Sequence, residues 1–547
     1  MGLSDSRPWW DLFRELEPNP PVRGRLPSTS DTLPSGPSGT PAVLAQSAPS
    51  ARYFNRELVF WALRNLPASQ APKHFLISGV AGSGKTTVID LFLQSIAPRF
   101  FPEADRPEQL IVFDAKGESI SHLARLGLHP DQPNYYILNP DDERGAVWNV
   151  ADAVRSPALA RHFATLLIPQ DRYTAAPYFP NSARLLLYGT ILALNDVAGS
   201  HWTLRDLLCA MDSLENIKEL CSQYGPALRI IDSFLKDERH IGGILSSVTS
   251  EIGALDLVAA LWHNAPNAKK FSITSFLSKP GVLVLSNDFL LKESFWSINA
   301  ILLKSLTHHI LGQDETSDPR HWFVFDEFPA MRKVECVADL LTLGRSKGVS
   351  VLLGFQGIEQ LNEVYGNNAA ESMVSQCAHK TFLRAGTRSA EWATQFLGTE
   401  RKTEANYSES WNSQGSTQQV SYSTIERSVF TTSFFTDMAY PVVGGIYHGV
   451  SDVPSLQATL VHAYPFDLLL AMKQKGPEIQ NTLSRQTIAI QILWPWSAEE
   501  RIAFCGDPKK PKRLEAGKDE KAPGQLPEDT GEHDATDLPT RDELFPG

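Results

Sequence analysis

Chemistry in this chain is concentrated first in Gly79-Val80-Ala81-Gly82-Ser83-Gly84-Lys85-Thr86, which fits G-x-x-x-x-G-K-[ST] at every fixed position. Glycines there let the backbone turn tightly, so successive N–H groups point inward at a phosphate. A helix that starts at the loop adds the partial positive charge of its N-terminus. Gly79, Gly82, Ser83, Gly84, Lys85, Thr86 and Thr87 are the candidate nucleotide-binding residues. Lys85 can reach the β- and γ-phosphates of ATP, and the Thr86 hydroxyl can ligate Mg²⁺. The competing reading of eight residues alone is a glycine-rich turn with an accidental lysine, so the context has to decide.

A second constellation lies far downstream, in His321-Trp322-Phe323-Val324-Phe325-Asp326-Glu327. A buried apolar strand there delivers two carboxylates at its C-terminal tip, where α/β sheets bind ligands. Asp326 is the candidate Mg²⁺ residue, through water or the Thr86 hydroxyl, and Glu327 the group that orients and polarises an attacking water. Gln356 ends the next apolar strand, at the position where a polar residue can contact the γ-phosphate; capping the helix after it is the alternative. Arg345 or Lys347, in the turn before that strand, can serve a neighbouring subunit's nucleotide as an arginine finger, or can be a solvated turn cation. Arg384 is a second candidate finger.

These side chains need a parallel sheet to bring them together. Phe75–Ser78 reads as a short buried strand, and Lys85–Ile96 as a helix with Val88, Ile89, Phe92, Leu93 and Ile96 on one face. Further strands are predicted over Gln109–Asp114, Tyr135–Asn139, Gly281–Leu285, Trp322–Asp326, Val349–Gln356 and Lys380–Arg384, with a long helix over Phe289–Leu311. Strands alternating with helices give an α/β fold with a parallel-rich central sheet. Helical periodicity is nearly unbroken from Ser156 to Lys270, which predicts an inserted all-α domain. The expected organisation is a first nucleotide-domain segment over 51–155, the insertion over 156–270 and a second segment over 271–504. Residues 401–426 are rich in Ser, Thr, Gln and Glu and predict an exposed hairpin or mobile loop, and Leu456–Tyr464 a late strand.

The chain has 547 residues, 42% of them apolar and 20% charged, as expected of a soluble protein of two or three domains. Its formal net charge of −12 argues against non-specific coating of nucleic acid by the whole surface. A basic channel within an acidic particle stays open. Five widely spaced cysteines (209, 221, 336, 377 and 505) suggest a reducing cytoplasm. No apolar run of transmembrane length and no signal peptide is readable. Residues 1–50 and 505–547 have the Pro/Ser-rich and charged compositions of disordered segments, the first interrupted by the apolar Trp9-Trp10-Asp11-Leu12-Phe13.

Taken together, these residues resemble the TraG/TraD family of type IV coupling proteins. The likeness runs from about Lys73 to about Tyr464. It rests on the order of the phosphate loop, Asp114-Ala115-Lys116-Gly117-Glu118, Leu138-Asn139-Pro140 with Trp148-Asn149, Asp326-Glu327-Phe328-Pro329, Gly344-Arg345-Ser346-Lys347-Gly348, Gln356, and Arg384 followed by Trp392 and Leu397-Gly398. The resemblance implies a RecA-like P-loop NTPase domain with an inserted all-α domain, assembled as a homo-hexamer. It also implies ATP-driven movement of DNA, most often single-stranded, to a type IV secretion channel, with relaxase or relaxosome-type cargo proteins as partners. Arg332 and Lys333 are the nominees for lining a DNA channel. Typical members begin with two transmembrane helices; none is readable here, so the expected place is the bacterial cytoplasm, peripheral to the membrane through partners. A soluble HerA/FtsK-like motor on duplex DNA and an ATP-dependent receptor for protein cargo are the competing expectations.

Overall fold

The computed structural model describes residues 55–506 apart from 169–177, 236–237, 266, 287–291, 413–414, 474, 477–478 and 480–491. The expectations for residues 1–50 and for the tail beyond 506 lie outside the described residues. A small hairpin, β1 (Leu58–Trp61) with β2 (Arg64–Pro67), leads into β3 (Phe75–Ser78), which is buried at all four positions. The helix Lys85–Ile96 follows, at the bounds its periodicity sets. Next come β4 (Gln109–Asp114) and β5 (Tyr135–Leu138). The two-residue strands β6 (Val147–Trp148) and β7 (Lys270–Phe271) pair in parallel and bracket the helical segment between them. Then follow β8 (Gly281–Ser286), β9 (Thr316–Phe325), β10 (Lys347–Phe355) and β11 (His379–Phe382). The chain adds β12 (Thr399–Asn412), β13 (Gly415–Ser428), β14 (Ile446–Val453) and β15 (Ala458–Pro465).

Nine of these strands form the central sheet, in the order β15-β14-β11-β3-β10-β9-β4-β8-β5. From β11 to β5 every pairing is parallel, while β14 and β15 close one side antiparallel. A parallel sheet covered on both faces needs apolar residues at nearly every position, and β4, β8 and β10 meet that need. Alternate residues feed two cores. Phe75, Ile77, Val112 and Val324 face the helix Lys85–Ile96 and the β1–β2 hairpin. Leu76, Phe113, Phe325 and Leu353 face the other way, into a core continuous with Leu186, Ile217 and Leu261 of the helical segment.

That segment runs through helices from Pro157–Leu167 to Asp256–His263. Thr203 and Asp206 form a capping box at one of its helices. By length and mean hydropathy Ile241–His263 would suffice to cross a membrane. It is instead two helices broken at Gly253–Leu255, with Ile244, Val248, Ile252, Val258 and Leu261 buried in the same core.

Three features depart from expectation. β9 begins at Thr316, well before Trp322, and β14 went unforeseen. The end of the segment expected to belong to the nucleotide domain lies on the helical segment. Arg205 there donates to Glu500 at 2.9 and 3.0 Å and to the carbonyls of Trp494 and Pro495, while the Trp496 indole donates to Asp206 at 2.9 Å. As expected, β12 and β13 pair as an antiparallel hairpin, from Thr399↔Ser428 to Asn412↔Gly415, with Tyr407, Val420 and Tyr422 exposed.

One buried charge cluster pins the sheet to its first hairpin. Glu108, just before β4, accepts from Arg99 at 3.3 Å, from Arg56 and from the Trp322 indole of β9 at 2.8 Å. Arg99 and Glu108 are almost wholly buried. Glu108→Ala removes the carboxylate that Arg99, Arg56 and the Trp322 indole share. We expect a loss of about 3–5 kcal/mol of stability, as for other broken buried pairs. The check is the denaturant midpoint; an unchanged midpoint would show that the pair contributes nothing net.

Candidate nucleotide site

Apolar β3 ends at Ser78, and the chain turns at its tip. The loop is tied to strands on both sides: the Gly79 amide donates to the Phe355 carbonyl of β10 at 3.3 Å, and the Val80 amide to the Arg384 carbonyl beyond β11 at 2.9 Å. Two glycines are sterically required. A Cβ at Gly79 would lie 2.5 Å from Ser83 Oγ and 2.8 Å from Leu383 Cβ. Gly84 sits at φ +100° and a Cβ there would meet the Tyr447 ring at 2.9 Å. Gly84 also precedes the first turn of the helix Lys85–Ile96, so the free amides of that turn and the loop converge on one concavity.

Lys85 is buried and bends back over the loop, donating to the Gly79 carbonyl at 2.6 Å. Burial pulls its ammonium below the ordinary lysine value, against the Glu327 and Asp326 carboxylates, which raise it. A phosphate anion would add counter-charge to offset that burial. β9 delivers Asp326 and Glu327 beside it, and β10, its parallel neighbour, delivers Gln356. Gln356 Nε2 donates to Glu327 Oε2 at 3.0 Å, which holds a buried carboxylate in one orientation. The sequence candidates Lys85, Asp326, Glu327 and Gln356 therefore converge.

A cleft beside the loop is shared by Thr86, Asp326, Asp114 and Lys116. Asp326 Oδ1 is buried with no hydrogen-bond partner, and so is Ser83 Oγ within the loop. Unpartnered buried oxygens are costly. A magnesium nucleotide brings a hard cation and phosphate oxygens that could partner such groups, so the residues present fit both. Thr86 and Asp326 would hold the cation. Asp90, one turn after Thr86, anchors the helix. It takes Lys473 Nζ at 2.6 Å and His122 Nδ1 at 3.3 Å, which together hold its carboxyl below the usual value against the burial that raises it.

Sequence reasoning assigned no chemistry to Lys116. Its Nζ lies 3.1 Å from Asp326 Oδ2. Burial lowers its pKa, but Asp326 and Glu327 outweigh that and hold the ammonium above its ordinary value. The signal was a lysine two residues beyond the tip of an apolar strand adjacent to β9. Asp114 shapes that turn by accepting from the amides of Gly117, Glu118 and Ser119 at 2.8–3.1 Å.

Other nominees lie elsewhere. Arg345 is exposed in the 3₁₀ turn Gly344–Ser346 that opens β10, at the end of the strand remote from Gln356. Lys347 is 3.9 Å from Glu315. Arg384 sits beside the phosphate loop of its own chain, donating to the Met438 carbonyl and stacking on Tyr440. Arg332, just after the acidic strand tip, lies over the Trp296 ring at 5.5 Å, and Lys333 is exposed.

Lys85→Ala is expected to leave the fold intact and to slow ATP turnover by about 10²–10³-fold or more, the scale of losing one preorganised charge contact. Wild-type turnover in that variant, measured by phosphate release, would remove the phosphate loop from the chemistry.

Comparison with known proteins bears on the family and the fold. Residues 62–460 match the family model described as the type IV secretion-system coupling protein DNA-binding domain. Coupling protein TraD of Escherichia coli (strain K12) is 24% identical over 334 residues, which is 60% of this chain and 44% of TraD. The matched part thus spans less than half of that relative's length. Among solved structures, the unbound bacterial conjugative coupling protein TrwBdeltaN70 superposes with a TM-score of 0.59 at 18% identity, over 78% of this chain and 91% of that one. Plasmid coupling protein TrwB in complex with ADP and Mg²⁺ gives the same TM-score and identity, over 79% and 93%. At that identity these structures show the fold, a RecA-like P-loop architecture with an additional domain.

Proposed function

The chain belongs to the type IV secretion-system coupling protein family, and from that premise we propose that it is an ATP-driven motor that moves DNA towards a type IV secretion channel. The observation that carries the reading is the Gln356–Glu327 pair beside the buried Lys85. A carboxylate fixed at the tip of β9 can orient a water, while Lys85 and the loop amides hold the triphosphate. When bound, Mg²⁺ supplies charge neutralisation at the phosphates. Gln356 touches the base directly, and so can transmit a change at the γ-phosphate to β10. The nucleotide is ATP with Mg²⁺, as the solved complex of TrwB with ADP and Mg²⁺ encourages.

The working form is a homo-hexameric ring; the position of Arg345 at the end of β10 remote from its own loop supports this, since an arginine there could act only on a nucleotide held by another copy. DNA, single-stranded for preference and with attached relaxase-type protein, is the cargo. The protein works in the bacterial cytoplasm and reaches the membrane through partners. Steady-state ATPase measurement with Mg²⁺ tests this, with and without single-stranded or duplex DNA, across protein concentration. Stimulation by single strands, weakening steeply with salt, is the expected result. Preference for duplex would favour a HerA/FtsK-like motor. ATP turnover indifferent to either DNA would favour a receptor for protein cargo.

A further inference from the structure

Resting on the nucleotide reading above, the geometry points to Tyr440 as the platform on which the base of the nucleotide stacks. The direction of the ligand follows from the sheet order. Asp326, Glu327 and Gln356 stand at the tips of β9 and β10, on one side of β3, and fix where the γ-phosphate lies. A triphosphate laid along the loop from that end runs towards the opposite neighbours of β3, the β11–β14 side.

Tyr440 waits there. Its ring borders the loop: among the described residues other than its own chain neighbours, a Cβ built on Gly82 would find only the Tyr440 ring within 4 Å, at 3.8 Å. The next residue, Pro441, approaches the Gly84 Cβ position at 3.4 Å. Tyr440 is nevertheless 47% exposed, although it borders the loop. The ring is not loose. Arg384 lies 4.5 Å from its centroid, and that guanidinium is fixed by donation to the Met438 carbonyl. The Arg384 carbonyl in turn accepts from the Val80 amide of the loop. A cation fixed against a ring that remains half exposed leaves π surface open to a second flat partner. A nucleobase is that partner, because every base carries a π face, and stacking on an aromatic side chain needs no hydrogen bond. The phosphates fill the loop and the base covers the ring.

Binding measurements on the full chain separate base from phosphate. Calorimetric titration is run with ATP and with inorganic tripolyphosphate, which has the phosphates and no base. Tyr440→Ala is expected to weaken ATP about 5- to 150-fold, the range of one lost aromatic–base stack. Tripolyphosphate affinity should stay unchanged, and Tyr440→Phe should bind ATP as the wild type does. Equal loss for both ligands would overturn the proposal and make Tyr440 a prop of the loop. No loss for either would overturn it as well. The nucleotide reading survives both outcomes so long as Lys85→Ala weakens the two ligands together. An unmodified chain that binds neither probe would remove that reading and this platform with it.

Discussion

Arg345→Ala is expected to bind ATP normally and to turn it over about 10³–10⁵-fold more slowly, the effect of removing an arginine finger. The register of the sheet is the reason. β10 runs parallel to β3 with Phe355 opposite Ser78, so the phosphate loop lies beyond the C-terminal end of β10. Arg345 precedes the first residue of that strand. Roughly nine strand residues at about 3.3 Å each separate the two ends, close to 30 Å, several times the reach of an arginine. The exposed Arg345 side chain can therefore stabilise charge only on a nucleotide held by another copy. Mixing Arg345→Ala with Lys85→Ala protein should restore part of the rate, because each supplies what its neighbour lacks. Turnover per subunit in the wild type should rise more than linearly with concentration. A rate at the additive baseline at every mixing ratio, with co-assembly demonstrated, would show that Arg345 does not act across an interface.

Glu327→Gln is expected to retain ATP and hydrolyse it about 10²–10⁴-fold more slowly, the range for a lost general base. The amide keeps the size of the side chain, and its oxygen can still accept from Gln356 Nε2, so the tip of β9 keeps its shape. What is lost is the capacity to take a proton from water. Single-turnover hydrolysis beside equilibrium ATP binding separates the two effects. A variant that loses binding but keeps the rate per bound nucleotide would make Glu327 a structural residue.

Much of this site was legible because its signals are local. The phosphate loop needs glycine at fixed positions, and the strand before it and helix after it are short, apolar and strictly patterned; the helix Lys85–Ile96 has the expected bounds. The β9 tip announced itself as an apolar run ending in two acids. Signals that depend on distant pairing did not show. β14, Ile446-Tyr447-His448-Gly449-Val450-Ser451-Asp452-Val453, mixes polar residues and a glycine into its run, and its buried Ser451 shares hydrogen bonds with Thr381 of β11 and His462 of β15. Lys116 gained meaning only when β4 was placed beside β9. Arg384 looked free for a neighbouring subunit until Met438 and Tyr440, more than fifty residues on, were folded against it. The attachment of Trp494–Glu500 to Arg205 spans nearly three hundred residues and leaves no trace in periodicity.

The core that continues from the sheet into the helical segment limits how this protein can do work. Phe325 and Leu353 of the sheet belong to the same buried cluster as Leu186, Ile217 and Leu261. Swinging the helices away as a lid would expose apolar surface at about 2.5 kcal/mol for every 100 Å² opened. A hinge at that junction would thus cost a sizeable part of the stability of a whole domain. The sheet and the helices therefore move as one body; in the ring proposed above, stroke and load would fall on the contacts between copies.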